Sequence, residues 1–142
     1  MNASAVNKKL LAEGCVPNSF AVLSRESDAL CLLKNGVEWI VVYSERGNDS
    51  KPYFRSFSEE DACEFFYDLV MKEPHLHMVF FSRSIDEAEQ FQTKVKNVGI
   101  ETIRNDIPHY MNENDTRARV FVKGKDIFRF EQEFGKPEFP FT

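Results

Sequence analysis

His75 and His77 stand two residues apart, so in a strand both imidazoles point the same way and offer two nitrogen ligands to a divalent metal. The third ligand would have to be His109 or a distant acid, because nothing near the pair in sequence supplies one, and this weighs against a metal centre. Cys15, Cys31 and Cys63 are odd in number, widely spaced and without a C-x-x-C pair. Set in apolar runs, they read as small buried hydrophobes, neither a disulfide framework nor nucleophiles. No serine lies in a G-x-S-x-G elbow, and the six glycines form neither a phosphate loop nor a dinucleotide fingerprint. The residues thus point to no catalytic group, no metal and no cofactor, and to a protein that is not an enzyme.

Charge gives a stronger signal. Residues 26–73 hold eleven acids against five bases, a balance of −6, while the rest of the chain sums to +1. A segment this acidic repels phosphate and suits a basic protein partner, with a merely solvated face as the plainer alternative. The acids that gather are Glu45 and Asp49 after one strand, then Glu59, Glu60, Asp61, Glu64 and Asp68 along one helix. Near the C-terminus Arg117, Arg119, Lys123, Lys125 and Arg129 interleave with Phe121, Phe128 and Phe130, a pattern that also suits stacking on single-stranded RNA. Strand alternation, with phenylalanines inward and arginines outward, explains that pattern more simply.

The elements that must position these residues follow from spacing. Val6, Leu10 and Leu11 mark a first helix that Gly14 ends, and "FAVL" at 20–23 reads as a strand. In "ALCLLKNGVEWIVVYS" the Asn35-Gly36 pair fits a type I′ turn between two β-rich runs, setting Lys34 opposite Val37 and Leu32 opposite Trp39. Leu30, Leu32, Val37, Trp39, Val41 and Tyr43 then share one face, and Cys31, Leu33, Ile40 and Val42 the other, which implies interior strands covered on both sides. A short strand near 53–57 leads to Ser58, an N-cap, with Glu59, Glu60 and Asp61 in the first helical turn and Ala62, Phe65, Phe66, Leu69 and Val70 as the apolar stripe. Pro74 stops this helix.

"LHMVFF" then reads as a buried strand, Ser84 and Glu87 as the capping box of a third helix that Gly99 ends, and "IETIR" as a strand parallel to the first of this group. Residues 105–116 read as a long polar loop, "RARVFVKGKDIFRFEQEF" as a second hairpin turning at 123–126, and "GKPEFPFT" as an irregular tail. The chain shows no internal repeat in this reading. With 42% hydrophobic and 13% aromatic residues it is expected to form one α+β domain over residues 1–142, a mixed, mostly antiparallel sheet with two hairpins and about three packed helices.

The hairpin ending in "YSERGN", the strand after it and the helix "SEEDACEFFY" resemble small bacterial immunity proteins found beside polymorphic toxins, including those of contact-dependent growth inhibition. The resemblance covers roughly residues 29–70. It implies a cytosolic, non-enzymatic protein that binds and neutralises a cognate toxin domain, with neither nucleic acid nor membrane as partner. Toxins of such systems are often nucleases with basic grooves, which Glu45, Asp49, Glu59, Glu60, Asp61, Glu64 and Asp68 would complement. An RNA- or protein-binding α+β module and a small hydrolase built on the histidines are the alternatives. Cytoplasmic residence is expected from the lack of a long apolar run or secretory leader.

Overall fold

The computed structural model describes residues 1–109 and 112–138, with residues 109 and 112–115 described by their backbone alone. The chain forms two compact units, Met1–Pro74 and His75–Thr142. The architecture is α+β, as expected, but the strands divide between two sheets instead of sharing one.

The first unit runs α1 (Ala3–Ala12), β1 (Phe20–Val22), β2 (Ala29–Asn35), β3 (Glu38–Glu45), β4 (Asn48–Asp49), β5 (Phe54–Ser56) and α2 (Glu59–Met71). Its sheet is ordered β1-β2-β3, with β4 and β5 both pairing on β3. The β2–β3 hairpin forms, with its turn displaced from the expected position. Gly36 and Val37 are the central residues, Asn35 pairs with Glu38, and Lys34 faces Trp39 rather than Val37. Only Gly36 takes a positive φ, +65°, which suits a turn with glycine first and lets Asn35 join the ladder. The register moves by two residues, and a two-residue shift leaves the paired side chains on their expected faces; Val37, expected on the core face, is instead in the turn and exposed, because the displaced turn takes it out of the ladder. Leu30, Leu32, Trp39 and Val41 accordingly pack with Leu10, Phe66 and Val70, while Ala29, Cys31, Leu33 and Val42 form a separate cluster on the opposite side.

β1 and β2 are parallel neighbours joined by only six residues, 23–28. That segment lies over the second cluster. Arg25 donates to both carboxylate oxygens of Asp49, its Nη2 at 2.9 Å, and the backbone of Glu26 reaches the Cys31 sulfur. Ser27 Oγ accepts from the Arg46 N–H at 3.4 Å.

The second unit runs β6 (Leu76–Ser82), α3 (Ile85–Asn97), β7 (Ile103–His109), β8 (Asn112–Lys123) and α4 (Asp126–Phe134). Its sheet is ordered β6-β8-β7, so β6 and β7 are parallel, as expected for a strand-helix-strand unit, but β8 lies between them, antiparallel to both. Two expectations fail here. Residues 105–109 and 112–116 of the expected polar loop are strand: Ile107 pairs with Arg117 and Pro108 with Thr116, the register shifts at His109, and backbone hydrogen bonding along an edge strand tolerates both polar side chains and Pro108. The second half of the expected hairpin is α4. Ile127, Phe130 and Phe134 recur at i, i+3 and i+7, and Ile127 and Phe130 are buried against Val120 and Val122, so the helical period prevails over the alternating one that "DIFRF" also contains. Phe139 and Phe141 of the tail lie outside the described residues.

Each unit contains the same strand-to-helix joint. The sequence F-x-S-x-S-x-x-[DE]-A-x-x-F occurs at Phe54–Phe65 and again at Phe80–Phe91, each time where a strand passes into a helix. In both, the second serine caps the helix by accepting from the backbone N–H of Asp61 or Glu87, at 3.1 Å each. Its own N–H donates to the first serine's Oγ, at 2.9 Å for Ser56 and 3.0 Å for Ser82. Ala62 and Ala88 are fully buried, and the two phenylalanines stack with centroids 4.5 and 4.4 Å apart and planes inclined by 10° in each case. The expected capping box at Ser84 is modified accordingly: Glu87 accepts from Ser82 Oγ rather than from the Ser84 N–H.

Candidate functional site

The expected acidic surface separates into four roles. Glu60, Asp61, Glu64 and Asp68 are exposed on α2, with Glu60, Glu64 and Asp68 at successive i+4 positions, so they form one ridge along the helix face away from the sheet. No cation lies within ion-pairing distance of these four among the described residues. Glu59 belongs elsewhere. It is half-buried at the head of α2, and its Oε2 accepts from the Ala3 N–H at 3.2 Å, tying together the first turns of α1 and α2.

Asp49 is also engaged, since it anchors segment 23–28 through Arg25. The hydrogen bonds from that guanidinium hold its carboxyl below the usual carboxylate range. Register places Asp49 opposite Ser44, on the sheet face away from α2, whereas Glu45 follows Tyr43 on the α2 side. Glu45 is exposed and forms no ion pair with Arg46 among the described residues; Arg46 instead takes a left-handed φ of 51° in the turn. The Tyr43 hydroxyl is pushed up first by burial and then by the negative charges of Asp28 and Glu45. Glu60, Asp61, Glu64, Asp68 and Glu45 thus stand exposed, while Asp49 and Glu59 serve the fold.

Sequence reasoning missed an aromatic at the head of the ridge. Phe57 is 76% exposed, immediately before the Ser58 cap. A residue in that position often packs on the fourth residue of the helix, but here that residue is Ala62, already buried in the core, so Phe57 has nothing to staple to. An apolar residue before the cap with alanine at the fourth position was the available signal.

The other chemical candidates are dispersed. His75 is buried and accepts the Gly124 N–H at its carbonyl oxygen, 2.8 Å away, and His77 sits in β6 opposite Val122. No group of three potential metal ligands gathers among the described residues. All three cysteines are buried, and burial is the first cause raising each thiol pKa, which disfavours the thiolate. Of the expected basic-aromatic set, Arg129 donates to the Val98 and Gly99 carbonyls at the end of α3, and Phe130 is core. Arg117, Arg119, Phe121 and Lys123 do share one face of β8. No helix of the described residues is long and apolar enough to cross a membrane. Compared with protein-family models, with curated proteins and with solved structures, the chain matches none.

Proposed function

We propose that the protein is a bacterial immunity protein that works in the cytoplasm, binding a cognate toxin domain with a basic face, a nuclease being the expected class, and blocking it without catalysis. The observation that carries this reading is the contrast between the two joints. Aligned on the shared motif, Glu60 and Asp61 correspond to Asp86 and Glu87, acids that favour a helix N-terminus in both units. Glu64 and Asp68 correspond to Gln90 and Lys94. A helix built on the same cap and the same stacked rings thus does not need acids beyond its first turn, and neither does it need Phe57, whose counterpart is Arg83. The dipole falls off within one turn, so Glu64 and Asp68 gain little from it. An aromatic ring beside a row of uncommitted carboxylates suits a desolvated anchor surrounded by steering charge.

The test is to replace Glu60, Glu64 and Asp68 together by Lys and co-express the variant with the toxin domain encoded beside it. Folding should be unchanged by circular dichroism, association should slow, binding should lose much of its salt dependence, and protection of cells should fall. A folded triple variant that binds and protects like the parent would remove α2 from the interface.

A further inference from the structure

β1 and β2 run parallel, and segment 23–28 carries the chain from the end of one back to the start of the other. Parallel neighbours are ordinarily joined by a crossover of a dozen or more residues, and this one has six. It is nevertheless slack. Val22 pairs with Leu32, so the chain has to return only to Ala29, about 10 Å along the sheet and about 5 Å across it. Fully extended, the stretch from Val22 to Ala29 reaches about 24 Å, roughly twice that separation, so the segment can lift without drawing the strands apart.

Little packing holds the segment down. All six residues from Leu23 to Asp28 are exposed, yet Ala29, Cys31, Leu33 and Val42 beneath them are buried, Cys31 fully so. A cover with no buried side chain of its own gains little from the hydrophobic effect and belongs to the least stable parts of a fold. Its side-chain ties to the rest of the sheet among the described residues are polar: the Arg25–Asp49 ion pair and the long hydrogen bond from the Arg46 N–H to Ser27 Oγ. Beside it a cavity of about 410 Å³, lined by Leu23, Arg25, Leu33, Ile40 and Asp49 among others, leaves the cover incomplete. The two ends are strained. Leu23 and Asp28 take left-handed φ values of 60° and 58°, a conformation uncommon for any residue with a Cβ and more so for leucine than for aspartate. Strain of this kind is stored in the closed form and released on opening.

We propose that segment 23–28 is a strap that opens as a unit, with Leu23 and Asp28 as hinges and the Arg25–Asp49 pair as latch, uncovering the Ala29, Cys31, Leu33 and Val42 face while β1, β2 and β3 stay paired. Closed, this side of the sheet is polar; open, it is apolar. The ion pair favours the first state, and the released backbone strain and regained chain entropy favour the second. The proposal is independent of α2 and of the toxin reading.

The Cys31 thiol reports on the strap, and Cys63, fully buried in the main core of the same unit, reports on unfolding of that unit. The full chain should be labelled with excess N-ethylmaleimide for increasing times at several urea concentrations below the unfolding transition. Peptide mass spectrometry then gives the rate at each cysteine, relative to its own rate in the unfolded chain. On this scale Cys31 should react at least about 10-fold faster than Cys63 and at a rate nearly flat in urea, because a local opening exposes little surface; Cys63 should follow the urea dependence of global unfolding. Asp49→Asn and Arg25→Ala should each speed Cys31 labelling about two- to fivefold, the span of a surface ion pair. Leu23→Asn, better suited to the left-handed backbone, should slow it about twofold or more. The Leu23 N–H, which donates to the Leu32 carbonyl oxygen at 2.7 Å, should be better protected from amide exchange than Cys31 is from labelling. Equal protection would mean that the β1 edge peels away, and Cys31 labelling as slow or as urea-dependent as that of Cys63 would mean that nothing opens short of unfolding; either overturns the strap. Rates unmoved by both latch variants would overturn the latch, and a rate unmoved by Leu23→Asn the hinge.

Discussion

The two units use one plan in two orders. In the first, the β2–β3 hairpin comes before the third strand β5 and its helix α2; in the second, the strand β6 and its helix α3 come before the β7–β8 hairpin. In each, the third strand pairs with the second strand of the hairpin, and strand and helix meet at the same serine-capped joint with stacked phenylalanines. The difference lies in what surrounds this plan. In the first unit segment 23–28 crosses the face away from α2 and acids stand exposed along the helix; in the second, Arg117, Arg119 and Lys123 share the sheet face away from α3 and α4, and Arg117 is buried there. A feature present in both units serves the fold, and a feature present in one is free for another task.

The largest expected effect tests how far the plan is shared. Phe66 is fully buried, whereas its counterpart under the motif is Gln92, which is half-buried and donates to Thr102 Oγ1. Phe66→Ala should cost about 3–5 kcal/mol in urea denaturation, against roughly 1 kcal/mol for Gln92→Ala. A Phe66 loss under about 1 kcal/mol would mean that α2 presents a different face to its sheet.

Next in size are the caps. Ser58→Ala and Ser84→Ala should each cost about 1 kcal/mol, and alike, because both serines accept one helix N–H and donate a backbone N–H to a preceding serine. Thermal melts that separate the two by more than about 1 kcal/mol would break the equivalence of the joints.

The smallest effect belongs to the tie that only the first unit has. Asp49→Asn should cost at most about 1 kcal/mol, since both partners of the Arg25 pair are solvent-accessible. The folded carboxyl pKa is depressed, so the stabilisation is fully present above the unfolded value of about 3.9 and is lost as pH falls through the folded one. Parent and variant should therefore differ near neutral pH and converge in acid. A gap that persists at low pH would show that segment 23–28 is held by something other than this pair.

Much of the first unit was legible because its signals are local. Asn35-Gly36, the Ser58 cap and the stripe Ala62, Phe66 and Val70 each act within a few residues, and the hairpin faces survived a displaced turn because the shift was even. The candidate site was legible as a set of acids but not as a surface. Glu59 and Asp49 are acidic like Glu64, yet Glu59 meets α1, distant by 56 positions, and Asp49 meets Arg25 across a sheet.

Sequence by itself determined the α+β class, the elements of the first unit and the capping of α2 and α3, because backbone propensity, cap chemistry and apolar period are properties of short windows. Tertiary structure decided the rest. Whether "DIFRF" became strand or helix depended on the sheet surface available to Ile127 and Phe130. Whether 105–109 and 112–116 became strand depended on two arms finding each other, which no polar window announces. Which acids remained free depended on partners distant in sequence, and long-range contacts are what a window cannot contain.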